Sequence, residues 1–257
     1  MDSKNVDRNT TTSPSTERQE EIVDRIMQDG TVKAAELAAE FGVSAMTIRR
    51  DLQALDNKGY LKRIHGGAVT RPEPIVRSYV QSAEKERIAR AVQTLVPDNA
   101  VIGIDVGTTC SAVGRVLAAR DDLVVVTNSI FSALPFRGSN NRLILLGGEM
   151  TDEGSLINNE GLEQASTFNL DVMILGCGGI SEKRGITYSN LEETYLRRTL
   201  IKNADRVILA ADSTKYGKIK PYHLCRLGRL DILVSDALPS EQIGNALEDS
   251  RVKIKLA

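Results

Sequence analysis

Apolar positions change rhythm once along this chain, and the change divides it. In the first part they recur at helical spacing. Ile22 and Ile26 stand one turn apart within residues 17–28, and Gly30 stops that stretch. Ala34, Leu37, Ala38 and Phe41 come next at i, i+3, i+4 and i+7, which predicts a short amphipathic helix over 33–41. Ile48, Leu52 and Leu55 repeat in the same way, with Thr47, Arg49, Arg50 and Gln53 off the stripe and Gly59 ending the helix. Between the two lies FGVS. There Gly42 can take the left-handed conformation that ends a helix, Val43 can turn inward, and Ser44 can cap the next helix. Two short helices joined by a glycine turn, the second carrying arginines on its polar side, predict a helix-turn-helix.

Next, YLKRIHGGAVTR sets Leu61, Arg63 and His65 on one side and Lys62 and Ile64 on the other, with Gly66-Gly67 as a tight turn. A ribbon beside the third helix makes a winged arrangement. RPEPIVRSYVQS, residues 71–82, has two prolines and no period, so it reads as a connector. Beyond it the rhythm is different. Residues 84–96 form an amphipathic stretch through Ile88, Val92 and Leu95. Short apolar runs then alternate with helix-length segments: VIGID at 101–105, LVVVT at 123–127, RLILL at 142–146, DVMIL at 171–175, RVILA at 206–210, DILVS at 231–235 and VKIKL at 252–256. Such runs predict an α/β domain with a mainly parallel, Rossmann-like sheet covered on both faces. The expected organisation is a disordered tail over 1–16, a winged helix-turn-helix domain over 17–70, a linker over 71–82 and the α/β domain over 83–257.

Composition narrows the function. No apolar run approaches a membrane span, and MDSKNVDRNTTTSPSTER at the start has no apolar segment for secretion, so no membrane partner is expected. Cys110, Cys177 and Cys225 lie far apart without a CxxC pair, and His65 and His223 sit in different regions. A reducing cytoplasm is expected, with neither metal site nor cofactor. The net charge of −1 hides a local excess. Between residues 44 and 71, Arg49, Arg50, Lys58, Lys62, Arg63 and Arg71 face only Asp51 and Asp56. Ordinary solvated charges on a helix face could produce that balance. Turn, helix and basic ribbon in this order point instead to duplex DNA. A rival is an architectural or RNA-binding protein with an unrelated α/β domain. The lack of tryptophan argues against reading single strands by base stacking.

In open parallel sheets, ligands gather beyond the carboxyl ends of the strands. Those ends carry Asp105, Gly107, Thr108 and Thr109; Thr127 and Asn128; Gly147 and Gly148; Gly176, Gly178 and Gly179; and Asp212, Ser213 and Lys215. A Gly-Thr-Thr loop opening a helix offers free amides, two hydroxyls and the positive end of a helix dipole, all suited to a phosphate. Lys215 can add a point charge, and Asp105 can accept from sugar hydroxyls. The plainer alternative is a loop whose threonines only cap the helix. Glu193 and Arg197, at i and i+4, suit a surface salt bridge.

Two resemblances sharpen this. VSAMTIRRDLQALDNKGYLKRIHGGAV resembles the DNA-binding signature of the DeoR family of bacterial transcriptional regulators. The resemblance implies that Ser44, Met46, Thr47, Arg49 and Arg50 face the major groove or its flanking phosphates, with Arg63 and His65 on the wing. From the residues alone, Ser44 suits a helix cap, Thr47 a phosphate donor, Asp51 an internal partner for an arginine, and His65 either packing or phosphate contact. DVGTT, VTN, LLGGE, NLEETYLRR and ADSTKYG are similar to the sugar-phosphate-sensing domain of the same family, whose fold is like that of ribose-5-phosphate isomerase. They imply an effector site of Asp105, Gly107, Thr108, Thr109, Asn128, Gly148, Glu193 and Lys215. MTDEGS after GGE departs from the arginine many relatives carry there. Thr214 and Tyr216 replace a common serine and phenylalanine.

An aldose–ketose isomerase needs a carboxylate that moves a proton between neighbouring carbons. Asp105, Asp212 and Glu193 are available, but the isomerase family's acidic DGADE-like run is missing. The expectation is a non-enzymatic regulator, a repressor of sugar or polyol catabolism or uptake genes. It would bind a double-stranded operator as a homo-oligomer, dimer or tetramer, under control of a phosphorylated sugar. The alternative is a sugar-phosphate isomerase-like enzyme fused to a DNA-binding domain.

Overall fold

The computed structural model describes residues 14–29, 31–70, 82–151 and 153–257, and the chain divides into two compact units at residue 81. The expected tail up to residue 13 and most of the expected linker, residues 71–81, lie outside the described residues, as does Gly30.

The first unit runs α1 (Pro14–Asp29), β1 (Thr31–Lys33), α2 (Ala34–Glu40), α3 (Ala45–Asn57), β2 (Leu61–Ile64) and β3 (Gly67–Thr70). Its core takes one stripe from each helix, Ile22 and Ile26, Leu37, then Ile48, Leu52 and Leu55, and closes on Leu61 and Ala68 of the small sheet. A large aliphatic side chain buried this fully stabilises by about 1.5–3 kcal/mol, which is how helices this short persist. β1 departs from the expected helical reading of Lys33. It pairs antiparallel with β3, Thr31 opposite Val69 and Lys33 opposite Gly67, giving the order β1-β3-β2. The wing's turn also shifts by one residue from the Gly66-Gly67 expected. His65 and Gly66 form it, with Gly66 at φ 83°, and Gly67 already pairs with Ile64. Of β2 only Leu61 is buried, while Lys62, Arg63 and Ile64 are exposed.

The second unit begins with α4 (Ser82–Gln93), which starts two residues before the apolar stretch read at 84–96 and stops three residues short of its end. β4 (Val101–Ile104), α5 (Thr108–Leu117), β5 (Val124–Thr127), α6 (Ile130–Ala133) and β6 (Arg142–Leu145) follow. After a hairpin of β7 (Glu149–Met150) and β8 (Leu156–Ile157) come α7 (Asn159–Ala165), β9 (Leu170–Leu175), β10 (Gly179–Ser181), β11 (Gly185–Tyr188) and α8 (Leu191–Lys202). β12 (Ala204–Ala210), β13 (Tyr222–Cys225), β14 (Ile232–Ser235), α9 (Glu241–Asp249) and β15 (Lys253–Leu256) complete it.

All seven apolar runs read from the sequence become strands of one sheet, ordered β15-β14-β12-β9-β4-β5-β6. Every neighbouring pair in it is parallel. Period two within a doubly covered strand explains the unbroken apolarity. Val172 and Ile174 pack with Ile88, Val92 and Val113 on one face, while Met173 and Leu175 pack with Leu196, Leu200 and Leu247 on the other. The sheet is therefore the middle of three layers. In its centre β12, β9 and β4 lie side by side, so their carboxyl-end loops converge. The hairpin β7–β8 and the antiparallel sheet β10-β11-β13 are additions beyond the sequence reading.

Candidate functional site

The first candidate surface is the outer side of α3. With Ile48, Leu52 and Leu55 turned inward, Met46, Arg49 and Arg50 are left in solvent, Met46 at 56% exposure. Ser44 caps the helix, its Oγ accepting from Thr47 N at 3.1 Å, and the two hydroxyls lie 2.9 Å apart. Arg49 and Arg50 have no carboxylate partner among the described residues. The acid next to them, Asp51, is buried and accepts from Arg18 Nε at 2.7 Å and Gln19 Nε2 at 3.0 Å, tying α1 to α3. It is thus the internal partner its position suggested, and the arginines keep their charge for something outside. Arg63 on the wing donates to Gln53 of α3, and His65 stands exposed at the wing's tip.

The second candidate surface begins where β4 ends. Gly107 has φ 127°, a conformation that favours glycine, and a side chain added there would meet nothing within 4 Å. No side chain caps α5, so the amides of its first turn, Thr108, Thr109 and Cys110, have no intrahelical acceptor. Thr108 is half-buried and Thr109 buried. Lys215 closes a short turn after β12, half-buried and without an acidic partner among the described residues. Its charge reaches Cys177, in the loop after β9, whose thiol burial pushes up to about 12 while Lys215 opposes the rise. Loops of the three central strands therefore share one electrostatic neighbourhood.

Beneath this loop is a buried ionic cluster. Asp105 Oδ1 accepts from Arg197 Nε at 2.7 Å; its Oδ2 accepts from Tyr188 Oη at 2.8 Å and Gly176 N at 3.1 Å. Arg197 Nη2 donates to Glu193 Oε2 at 2.8 Å, and Ser155 Oγ donates to Glu193 Oε1 at 2.5 Å. The guanidinium carbon lies 3.9 Å above the centre of the Tyr188 ring. Burial works against the Arg197 charge, yet Asp105, Tyr188 and Glu193 together raise its pKa above the ordinary value. Burial, reinforced by Asp105, holds the Tyr188 phenol well above its ordinary value. Glu193 and Arg197 do pair at i and i+4, but in the interior and not on the surface.

The structure thus gathers Asp105, Gly107, Thr108 and Thr109 at one strand end, ties Glu193 to Asp105 through Arg197, and sets Lys215 after β12, two strands from β4. Asn128 and Gly148 face the hairpin instead. Asn128 Nδ2 donates to Leu156 O at 3.2 Å, and a side chain on Gly148 would fall 2.4 Å from the Ile157 backbone. Arg197, Tyr188 and Ser155 were missing from the sequence reading of the site. Arg197 had a signal in its spacing from Glu193; the other two had none. Two grooves lie elsewhere, about 430 Å³ between the hairpin and α8 and about 580 Å³ between α9 and β15, and neither is lined by Gly107, Thr108 or Lys215. Among the described residues no group of His, Cys, Asp or Glu is placed to hold a metal ion, and no helix is long and apolar enough to cross a membrane.

A model of the DeoR-like helix-turn-helix domain matches residues 18–73, and one of the DeoR C-terminal sensor domain matches residues 80–237. The chain is 33% identical over 248 residues to the glycerol-3-phosphate regulon repressor of Escherichia coli K12, spanning 94% of this chain and 98% of that protein. It is 30% identical over 241 residues to a putative aga operon transcriptional repressor of Escherichia coli O157:H7, 89% of each. With the HTH-type transcriptional regulator GolR of Listeria innocua it shares 29% over 254 residues, 94% of this chain and 98% of that one. Among solved structures, ribose 5-phosphate isomerase A from Methanocaldococcus jannaschii is similar at 16% identity and a TM-score of 0.41, over 53% of this chain and 55% of that chain.

Proposed function

Because the chain belongs to the DeoR family of transcriptional regulators, we propose that it represses genes for sugar or polyol use and releases its operator when a phosphorylated sugar or polyol binds the second unit. The observation that carries the reading is an uncapped first turn at Gly107–Cys110 with Lys215 in the turn after β12, two strands from β4 in the same sheet, on a chain whose first unit presents two arginines without carboxylate partners among the described residues. In this reading Arg49 and Arg50 meet phosphates or guanine edges, and Met46 meets a base edge. Thr47, Arg63 and His65 contact the backbone, and Ser44 holds the helix that presents them. Gly107, Thr108 and Thr109 cradle the effector's phosphate, and Lys215 neutralises it. Asp105 and Glu193 act through Arg197, while Asn128 and Gly148 shape the hairpin beside them. Paired operator half-sites call for a homo-oligomer. The effector must favour the released state over the bound one, since equal affinity for both would shift nothing.

Turnover is not part of the proposal. A proton-moving base must be free to approach a substrate carbon, and both Asp105 and Glu193 are held by the same guanidinium.

The test uses the full chain with an operator selected from random duplexes. A panel of phosphorylated sugars and polyols, glycerol 3-phosphate first because a relative's regulon bears that name, is screened by thermal shift. A ligand at a hundred times its Kd stabilises by about 2.7 kcal/mol, a readily visible rise. The same compound should then release the operator in a gel shift. A panel that neither raises the melting temperature nor alters operator retention overturns the reading.

A further inference from the structure

A phosphate on the Gly107–Cys110 turn accounts for one end of an effector; Arg197 speaks to the other. Its Nε and Nη2 are taken by Asp105 and Glu193 at 2.7 and 2.8 Å, whereas Nη1 is buried with no acceptor among the described residues. An unmet donor on a buried cation costs more than an ordinary hydrogen bond returns. Joining two carboxylates does not require it, because a lysine could do that as a point charge. The guanidinium also lies near the proposed cradle. Cys110, in the first turn of α5, has its thiol pushed up by burial and by Asp105, and the Arg197 charge pulls against that rise.

We propose that Arg197 Nη1 donates to an uncharged oxygen, hydroxyl or carbonyl, on the carbon chain of the phosphorylated effector, so that Arg197 distinguishes a sugar or polyol phosphate from phosphate alone. This rests on the phosphate reading above. Charge selects the neutral oxygen. Asp105 and Glu193 already oppose a single guanidinium, so the cluster is negative in sum, and a phosphate brought against it would meet like charge away from water. A hydroxyl or carbonyl brings an acceptor and no charge. The donor is also held still: Tyr188 lies beneath the guanidinium, Tyr188 Oη and Gly176 N fix Asp105, and Ser155 fixes Glu193. A buried site built to bond a ligand oxygen rejects analogues without it far more strongly than an apolar pocket does.

The experiment is calorimetric titration of the full chain with inorganic phosphate, propyl phosphate and a set of short-chain polyol and sugar phosphates. Wild type is compared with Arg197→Lys, which keeps a cation between the carboxylates but has no second nitrogen to offer. On wild type, at least one polyol or sugar phosphate should bind roughly tenfold or more tightly than propyl phosphate. In Arg197→Lys that margin should collapse while propyl phosphate binds as before. A set in which no compound exceeds propyl phosphate on wild type, or a margin that survives in the variant, overturns the proposal. Should Arg197→Lys fail to fold, Arg197→Gln combined with Glu193→Gln removes one charge of each sign and is read in the same way. Thr108→Ala separates the two readings. If it abolishes propyl phosphate binding while the margin is absent, the phosphate cradle stands and only the role of Arg197 falls. If wild type binds no phosphorylated compound, both fall.

Discussion

Arg197 of α8 and Asp105 at the end of β4 stand 92 positions apart in the chain, yet their side chains meet at 2.7 Å with Asp105 2% and Arg197 3% exposed. Without Asp105 the guanidinium is still balanced by Glu193, but the buried donors Arg197 Nε and Gly176 N lose their acceptor, and each buried donor left unmet costs about 1–3 kcal/mol. Asp105→Ala should therefore lower the free energy of unfolding by that order, seen as a lower urea midpoint at unchanged slope, and Asp105→Asn by less, since the amide oxygen still accepts from Arg197. A midpoint for Asp105→Ala within experimental error of wild type would mean that the cluster contributes nothing to the fold.

On α3, Arg49→Ala and Arg50→Ala should each weaken operator binding and leave the circular dichroism spectrum unchanged. If the lost contact is to a phosphate, the plot of log affinity against log salt should flatten by about 0.9 per arginine. If it is to a guanine edge, binding should fall by about 1–3 kcal/mol and sequence preference should relax at one position. Operator retention identical to wild type in both variants would rule out this helix face.

Thr108→Ala and Lys215→Ala address the other end of the mechanism. Each should hold the operator as wild type does and require much more effector to let go. Release at the wild-type effector concentration would put the sensing site somewhere else.

Gly67 supports the wing from beneath. A side chain there would fall 2.0 Å from the Val32 carbonyl oxygen, on the strand that pairs with β3. Gly67→Ala must part β1 from β3, with a cost of about 1–3 kcal/mol typical of overpacking and weaker operator binding as the wing moves. Gly66→Asn is the control. Nothing lies within 4 Å of that position, and asparagine tolerates its φ of 83°. Equal melting temperatures for the two variants would contradict the pairing described.

Asp122 supplies a pH signature. Arg120 donates from Nε to Oδ1 at 2.9 Å and from Nη2 to Oδ2 at 2.5 Å, and Asn99 N donates to Oδ2 at 2.7 Å. Chiefly through the arginine, the carboxyl is drawn down from 3.8 to about 2. A value lower in the native state than in the unfolded one stabilises above the unfolded value and stops doing so as pH falls through the native one. Asp122→Asn should thus melt below wild type at neutral pH, with the gap closing between about pH 4 and pH 2. A gap that persists at pH 2 would assign the loss to something other than this charge.

The parallel sheet was legible because its strands are covered on both sides, so each had to be an apolar run such as VIGI or ILVS whatever its neighbours. The cap at Ser44 and the inward turn of Asp51 were likewise local matters of spacing. β1 escaped notice because three residues hold too few positions to show alternation, and the β7–β8 hairpin is shorter still. The Glu193–Arg197 spacing was plain, but its depth was not. Ser155 and Tyr188 enclose the pair from distant parts of the chain, and neither residue is unusual where it stands. Position in the interior is a property of the whole assembly, which no window of sequence contains.

Residues 105, 155, 188, 193 and 197 must all be in place before the buried cluster exists, and the DNA-facing unit precedes every one of them as a compact body of its own. A ribosome that stalls midway, or a protease that trims the far end, would leave a product able to grasp an operator and deaf to the metabolite. Shortened alleles of this gene are then expected to silence their targets permanently wherever the remnant still associates, and to be dominant over the intact copy.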